Sequence, residues 1–284
     1  MSNIKIVVDS ACDMPRKYLE NNNVKILPFR IIVDQTTYLD GVDINNKQLI
    51  NFIEEKRHIT TSQVRVIDFE NIFKECAKEK LKCIYLAFSS KMSGAYQSAK
   101  VVADNTKEIY PNFEIEILDT QCGSTAIGLL VQKAIQLEND NLSFQEIVKN
   151  LRNISEKIEH IFTLNDLESL KTGGRINKTT AFVGNLFNIK PILEVKKGKI
   201  QFFKKVRGYN KAYDKIIKIM EERGSNLKNQ LIGISYSGKM EYALKLKDMI
   251  MERFGTTDFM INMISNVLTV HLGKDGVGVF FIND

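Results

Sequence analysis

The segment Cys83-Ile-Tyr-Leu-Ala-Phe88-Ser89-Ser90-Lys91-Met92-Ser93-Gly94-Ala95 decides the fold class of this chain. Its first six residues are apolar and have the length of a buried strand, and a helical pattern begins at Ala95. Ser93 and Gly94 belong to the hydroxyl-rich turn between the two elements. A strand, a turn and a helix in this order are typical of an open α/β sheet that is covered by helices.

The same order of elements recurs through the first half of the chain. Strands are predicted at residues 4–8, 24–27, 29–33, 83–88 and 113–118, and helices at residues 15–22, 47–56, 66–80, 95–104, 125–137 and 143–157. We expect Asp13 to open the first of these helices. The recurrence predicts an open, mostly parallel sheet with helices on both faces.

The second half of the chain has a different pattern. Strands are predicted at residues 158–164, 192–195, 200–205, 231–236, 259–264 and 277–282, and helical segments at residues 166–170, 180–187, 212–223 and 240–254. The tetrapeptide Lys196-Lys-Gly-Lys199 is a hairpin signal between two of these strands. We therefore predict an α/β protein of two domains, with a parallel α/β domain at residues 1–158 and an α+β domain with an antiparallel sheet at residues 159–284.

Composition limits the classes of function. The 284 residues carry a net charge of +6, and the basic residues are scattered rather than gathered in one stripe. This pattern argues against nucleic-acid binding and is compatible with a transient contact at an acidic membrane surface.

The four cysteines form no CxxC pair or zinc spacing, so we expect reduced thiols and no metal site. With no signal peptide and no apolar run of ~18 residues, we expect a cytoplasmic protein.

Hydroxyl-rich turns follow three predicted strands of the first half. They begin at Asp9-Ser10, at Ser89-Ser90 and at Asp119-Thr120. Because the carboxyl ends of parallel strands meet at one sheet edge, these turns are expected to converge there beside helix N-termini, which favour an anion. The alternative is that each hydroxyl only caps a helix.

Three further segments carry candidate binding groups. Thr61 and Ser62 precede a predicted helix, where they either cap that helix or join Ser93 in a site. In Gly173-Gly174-Arg175, the glycines allow a close backbone approach and Arg175 can pair with a carboxylate or phosphate, or remain a solvated arginine in a tight turn. His271 lies in a predicted loop between the last two strands, as a candidate proton carrier or anion partner.

The order and spacing of these motifs resemble the DegV family. The matching segments are Val8-Asp9-Ser10-Ala-Cys-Asp13, Thr61-Ser62-Gln63, Ser89-Ser90-Lys-Met-Ser93-Gly94, Ser98-Ala99, Asp119-Thr120, Gly128, Lys171-Thr-Gly-Gly-Arg175-Ile and His271 with Gly273. Three positions depart from the usual family pattern, because Val64 replaces a proline, Ala95 replaces a threonine, and Leu-Gly-Lys-Asp-Gly follows His271.

The resemblance implies a single long-chain fatty acid in an internal tunnel, with no other cofactor. It implies that the carboxylate is bound by Thr61, Ser62, Ser93, Gly94, Gly174, Arg175 and His271. It also implies that the chain is not an enzyme on its own. A separate ATP-binding kinase subunit would phosphorylate the acid to an acyl-phosphate for phospholipid synthesis, and Arg175 and His271 would support that phosphoryl transfer.

Two other functions stay open at the level of the sequence. The first is a stand-alone hydrolase or transferase with Ser93 as nucleophile and His271 as base, although Ser93 does not lie in a GxSxG motif. The second is a binding module for another small anion, in which Gly173-Gly174-Arg175 holds a phosphate. No GxGxxG motif follows a predicted strand, so a dinucleotide cofactor is not expected, and the Gly173-Gly174-Arg175 loop is not a Walker A motif.

Overall fold

The computed structural model describes residues 3–176 and 188–283. Its strands are β1 (Ile4–Asp9), β2 (Lys25–Leu27), β3 (Arg30–Val33), β4 (Thr36–Leu39), β5 (Ile59–Ser62), β6 (Lys82–Ala87), β7 (Ile115–Asp119), β8 (Ile158–Thr163), β9 (Ile189–Lys196), β10 (Lys199–Arg207), β11 (Ile232–Tyr236), β12 (Phe259–Met263) and β13 (Val277–Ile282). The helix predicted at residues 180–187 lies outside the described residues.

The α-helices lie between the strands of the parallel sheet and along the second half of the chain. They are α1 (Arg16–Asn21), α2 (Asn46–Glu54), α3 (Val66–Lys78), α4 (Ala95–Ile109), α5 (Thr125–Asn139), α6 (Phe144–Ser155), α7 (Glu168–Thr172), α8 (Gly208–Arg223), α9 (Met240–Phe254) and α10 (Asn266–Leu272). None of the helices within the described residues is both long and apolar enough to cross a membrane.

The first half of the chain builds a parallel sheet with the strand order β2-β1-β6-β7. All three of its strand pairs are parallel, as the recurring pattern predicts. Helix α3 packs with α4 and α5 packs with α6, so two helix pairs flank this sheet. The central strand β6 is buried along almost its whole length, because a parallel sheet is covered by its crossover helices.

A small antiparallel sheet with the order β4-β3-β5 was not predicted from the sequence. Its strand β5 contains Thr61 and Ser62, which pair with Ile31 and Arg30 of β3. The idea that these hydroxyls cap the next helix is wrong, because α3 begins after Arg65 and has no side-chain cap. Pairing with β3, some thirty residues earlier in the chain, makes this segment a strand, and no local pattern reveals it.

The second half builds a six-stranded sheet with the order β10-β9-β8-β13-β11-β12. Every pair is antiparallel except β11 with β12, so the predicted antiparallel sheet is confirmed. The hairpin at Lys196 and Lys199 is also confirmed, since these two residues face each other across the β9–β10 turn. The domain boundary near residue 158 stays a prediction. The largest buried cluster holds side chains from both halves, including Ile147 and Phe280.

Helix α10 corrects the prediction of a loop around His271. The helix runs from Asn266 to Leu272 and is followed by Gly273, whose φ of 74° suits a residue without a Cβ. His271 lies in its last turn. The histidine is therefore presented from a hydrogen-bonded backbone rather than from an irregular connection.

Two carboxylates from the first half of the chain hold the beginning of α10. Asp13 accepts a hydrogen bond from the Ser265 amide at 2.7 Å, and Asp40 accepts from the amides of Asn266 and Val267 at 3.2 and 3.3 Å. The prediction that Asp13 opens α1 is wrong, because Pro15 precedes that helix and Asp13 is buried. The first amides of a helix lack partners within the helix, so buried acceptors stabilise its start.

Candidate functional site

A cavity of about 430 Å³ lies among residues of both halves of the chain. This volume is in the range of small-molecule sites. Six of the predicted site residues line the cavity, namely Thr61, Ser62, Ser93, Gly94, Arg175 and His271. Much of the remaining wall is apolar and includes Phe162, Leu164, Ile200, Leu268 and Phe280. The tertiary structure thus brings a polar group of residues and an apolar wall together in one cavity.

Gly174 is the predicted site residue that does not line this cavity. It is exposed after α7 and has a φ of 68°, which makes a left-handed turn there and suits glycine. The neighbouring Gly173 is the glycine with a close approach, because a Cβ at that position would overlap Nδ1 of His271. The expected close backbone approach therefore occurs one residue earlier than Gly174, and it is to a side chain of the site.

Thr61 and His271 meet across the fold. Thr61 Oγ1 lies 2.8 Å from His271 Nε2, although 210 positions separate the two residues in the chain. His271 Nδ1 is buried and has no hydrogen-bond partner among the residues that the structure describes. Burial, and then the nearby charge of Arg175, lowers the pKa of His271 to about 4, so the ring is neutral at pH 7.

Ser62 is held by an arginine that the sequence analysis missed. Arg30 of β3 donates from Nη2 to Ser62 Oγ at 2.8 Å and from Nε to the Gln63 carbonyl at 3.3 Å. Arg30 also lines the cavity. A single arginine at the start of an otherwise apolar strand was the available signal, since a charged group next to a buried strand needs a partner.

The turn that contains Ser93 and Gly94 is shaped by close contacts. Ser93 Oγ accepts from the Ala95 amide at 3.2 Å, at the start of α4. A Cβ on Gly94 would overlap Oε1 of Gln63, so only glycine fits there without a shift of that side chain. Gln63 in turn donates to Ser98 Oγ at 2.7 Å. These contacts attach β5 to the Ser93 turn and place the hydroxyls beside one cavity.

The three hydroxyls share one property that suits an anion. Ser62 Oγ and Ser93 Oγ each accept a hydrogen bond within the protein. Thr61 Oγ1 does the same when the neutral His271 carries its proton on Nε2. Each hydroxyl then keeps its own O–H free to donate. A group of donors facing a cavity is the arrangement that a carboxylate or phosphate oxygen requires.

Arg175 adds positive charge beside these donors. Its guanidinium donates from Nη1 to the Gly173 carbonyl at 2.5 Å and from Nε to the Met92 carbonyl at 3.3 Å. The second bond joins the end of α7 to the turn that precedes Ser93. Because Arg175 is partly buried and lines the cavity, its charge favours an anion in the space next to the hydroxyls.

A serine–histidine pair for nucleophilic catalysis is not assembled here. His271 Nε2 is bonded to Thr61, and Ser93 Oγ is bonded to the Ala95 amide. A nucleophile and its base are expected within hydrogen-bond reach of each other.

Across residues 3–176 and 188–283, no group of three or more His, Cys, Asp or Glu side chains is placed to hold a metal ion. All four cysteines are buried free thiols.

Comparisons with known proteins agree with this fold. The family described as "Uncharacterised protein, DegV family" matches residues 3–284. The DegV domain-containing protein CPE0026 of Clostridium perfringens is 34% identical over 287 residues, which cover 100% of this chain and 99% of the relative. Among solved structures, a fatty-acid-binding DegV family protein of Thermus thermophilus is 26% identical with a TM-score of 0.88 and 99% coverage of both chains.

A stearic-acid-binding protein of Eubacterium ventriosum has the same fold. It is 25% identical to this chain, with a TM-score of 0.89, and the alignment covers 100% of this chain and 98% of the other. The family match extends over almost the whole sequence, and the order of motifs from Asp9 to His271 agrees with it. The predicted resemblance is therefore confirmed, and the chain belongs to the DegV family.

Proposed function

We propose that this protein binds one long-chain fatty acid, with its carboxylate at Thr61, Ser62 and Ser93 and its tail along the apolar wall of the cavity. The observation that carries the proposal is the set of three hydroxyls beside one cavity. The oxygens of Ser62 and Ser93 already accept, and that of Thr61 accepts when His271 carries its proton on Nε2, so their O–H groups can donate to an anion. Solved relatives from Thermus thermophilus and Eubacterium ventriosum are described as binding fatty acid and stearic acid, respectively, which supports the same class of ligand.

The energetics of such a ligand divide between its two ends. Burial of an alkyl chain contributes about 0.8 kcal/mol per methylene, so roughly fifteen methylenes give about 12 kcal/mol before the costs of association. A carboxylate in the same cavity would be strongly disfavoured without donors. The tail therefore provides most of the affinity, while the hydroxyls and the charge of Arg175 set where the carboxylate lies.

The test of lipid binding is mass spectrometry of an organic extract from the purified protein. We expect one fatty acid per chain, released only when the protein is denatured. A parallel preparation of Ser93→Ala tests the head group, because it should carry less lipid after the same washing steps. An extract that contains a nucleotide and no fatty acid would contradict the proposal and favour a phosphate-binding module.

The second part of the proposal concerns the fate of the bound acid. The protein presents the carboxylate to an ATP-binding kinase subunit, whose ATP supplies the phosphoryl group. A carboxylate oxygen attacks the γ-phosphorus, the bond to the bridging oxygen of ADP breaks, and acyl-phosphate and ADP form. The acyl-phosphate then enters phospholipid synthesis. Such a partner places the protein in the cytoplasm, and uptake of the acid involves a transient contact with a membrane surface.

Arg175 and His271 are the residues that would serve this transfer. Arg175 sits beside the hydroxyls and can balance the negative charge that develops on the transferring phosphoryl group. Burial and the charge of Arg175 lower the pKa of His271 and keep it neutral, and its hydrogen bond with Thr61 aligns it, so it orients a donor at the carboxylate rather than adding charge. The contact between Gly174 and the ligand stays a prediction. Gly174 is not among the residues that line the cavity.

A reconstituted kinase assay tests this second part. We expect Arg175→Ala to retain bound fatty acid but to reduce acyl-phosphate formation. The substitution removes the guanidinium charge from the end of the cavity where the carboxylate is proposed to lie. The exposed Arg253 pairs with Glu221 on the surface, so Arg253→Ala is a matched control for the loss of one positive charge. Equal turnover by Arg175→Ala and the control would remove Arg175 from the transfer while leaving the lipid-binding proposal intact.

A further inference from the structure

Lys190 is a buried cation outside the proposed head-group site. It belongs to β9 and is 7% exposed. Its ammonium donates to Asn165 Oδ1 at 2.6 Å and lies 4.6 Å from the ring centroid of Tyr209. Burial lowers its pKa, while the charges of Asp166 and Asp275 act in the opposite direction. An ammonium that is buried against neutral groups costs stability, so packing alone does not explain a lysine at this position.

The hairpin of β9 and β10 brings Lys190 next to Tyr209. Lys190 pairs with Val206 across the hairpin, and Tyr209 follows in the first turn of α8. The ring of Tyr209 stacks on Tyr242 of α9, with the ring centroids 4.8 Å apart. A cation over the face of a tyrosine is attracted by the ring. Lys190 and Tyr209 thus form one unit, here called the anchoring pair, which is fixed against α9.

The anchoring pair holds two separate connections of the chain. Lys190 donates to the side chain of Asn165, which lies in the connection between β8 and α7. The hydroxyl of Tyr209 donates to the carbonyl of Asp275, which lies in the connection between α10 and β13. One held connection therefore precedes α7, and the other follows α10.

Short-range hydrogen bonds continue from the first connection to Arg175. Asp166 Oδ1 accepts from the Glu168 amide at 2.9 Å, where α7 begins. At the other end of α7, the Arg175 amide donates to the Leu170 carbonyl at 3.0 Å. A helix of only five residues is not stable by itself, so its place depends on what holds its two ends.

Helices α7 and α10 meet at His271. Gly173 follows α7 and lies so close to this histidine that a Cβ on the glycine would overlap Nδ1 of the ring. Burial, and then the charge of Arg175, lowers the pKa of His271. The guanidinium is therefore near enough to act on the ring, and a movement of either held connection would change that spacing.

We propose that the anchoring pair sets how far Arg175 lies from His271 at the carboxylate end of the cavity. Lys190 acts through the connection before α7, and Tyr209 acts through the connection after α10. Neither member of the pair lines the cavity, so both are positioning residues. This inference rests on the proposed phosphoryl transfer to the bound acid, in which Arg175 and His271 take part.

Two variants loosen the pair, and a third is their control. Lys190→Met removes the ammonium at nearly constant length, and Tyr209→Phe removes only the hydroxyl. Lys245→Met is matched to the first variant, because exposed Lys245 also donates to an asparagine, Asn210 Oδ1 at 2.7 Å, and lies 5.6 Å from a tyrosine ring, that of Tyr213. Lys245 joins α9 to α8 and touches neither held connection.

The first measurement is the rate of acyl-phosphate formation with the kinase at saturating fatty acid. We expect Lys190→Met and Tyr209→Phe each to lower it about tenfold, with fatty-acid affinity within about twofold of wild type and no change in the control. In the Arg175→Ala background, Lys190→Met should lower the rate less than about twofold further, since it acts through Arg175. Losses that multiply in the double variant would overturn the inference, because a general structural defect adds independently.

The second measurement is an NMR titration of the ligand-free protein, which does not need the kinase. The chain has three histidines, so replacing His271 identifies its signal. Arg175→Ala should raise the pKa of His271, because a nearby positive charge is removed. Lys190→Met and Tyr209→Phe should shift this pKa in the same direction, and Lys190→Met should add nothing to Arg175→Ala.

The two measurements separate the inference from the function on which it rests. An unchanged pKa of His271 in both Lys190→Met and Tyr209→Phe would overturn the positioning role. If wild-type protein forms no acyl-phosphate with the kinase, the proposed phosphoryl transfer fails, while the titration still decides whether the pair positions Arg175.

Discussion

Replacing Thr61 by valine separates two contributions that this residue makes. Valine has nearly the shape of threonine and an equal preference for strands, so β5 should form as before. The change removes the hydroxyl that lies 2.8 Å from His271 Nε2 and, with it, one donor to the carboxylate. Thr61→Ser is the matched control, since it retains the hydroxyl and loses only a methyl group.

The two losses have different sizes and different readouts. Loss of one hydrogen bond to a charged carboxylate costs about 1.5–3 kcal/mol, which weakens fatty-acid binding roughly 10- to 150-fold. In the ligand-free protein, His271 Nδ1 already lacks a partner within the described part of the chain. Leaving Nε2 unpaired as well should lower the free energy of unfolding by about 1–3 kcal/mol.

Both quantities can be measured on the same preparations. Competition binding with a fluorescent fatty acid gives the affinity, and urea unfolding of delipidated protein gives the stability. We expect Thr61→Ser to stay close to wild type in both measurements. If Thr61→Val loses stability but binds the fatty acid with unchanged affinity, then Thr61 only holds His271, and the carboxylate lies elsewhere.

Three further predictions concern the same cavity and its supports. Ser93→Ala should weaken fatty-acid binding by about 1–3 kcal/mol in calorimetry, because it removes a donor from the carboxylate, and an unchanged affinity would exclude Ser93 from the head-group site. Burial raises the pKa of Asp13 from 3.8 to about 7, so the folded protein holds this proton more tightly than the unfolded chain does, and stability falls as pH rises through that interval. Asp13→Asn should therefore make urea unfolding less dependent on pH between 5 and 8, and an unchanged slope would contradict the assignment. Asp40→Ala should lower the free energy of unfolding by about 2–4 kcal/mol through loss of the acceptor for the first amides of α10, with a smaller loss for Asp40→Asn, and equal stability of all three proteins would refute this role.

Strong local patterns led to correct predictions even for β6, whose hydrogen-bond partner β1 lies far away in the chain. The strand–turn–helix unit around Ser93 and the hairpin at Lys196 and Lys199 were both predicted, since periodicity and turn residues lie within one short segment. Strand β5 and helix α10 were not predicted. The first depends on pairing with β3, and the second on Asp13 and Asp40, which lie more than 220 residues before it.

The candidate site divides along the same line. Residue types and local patterns indicated which side chains could face an anion, while a helix cap or a tight turn stayed an alternative for each of them. The packing of distant segments established which of them meet. It brought Thr61 to His271, joined Arg30 to Ser62, and left Gly174 outside the cavity. The physical reason is that a hydrogen bond between distant segments depends on the position of both backbones, which no single stretch of sequence specifies.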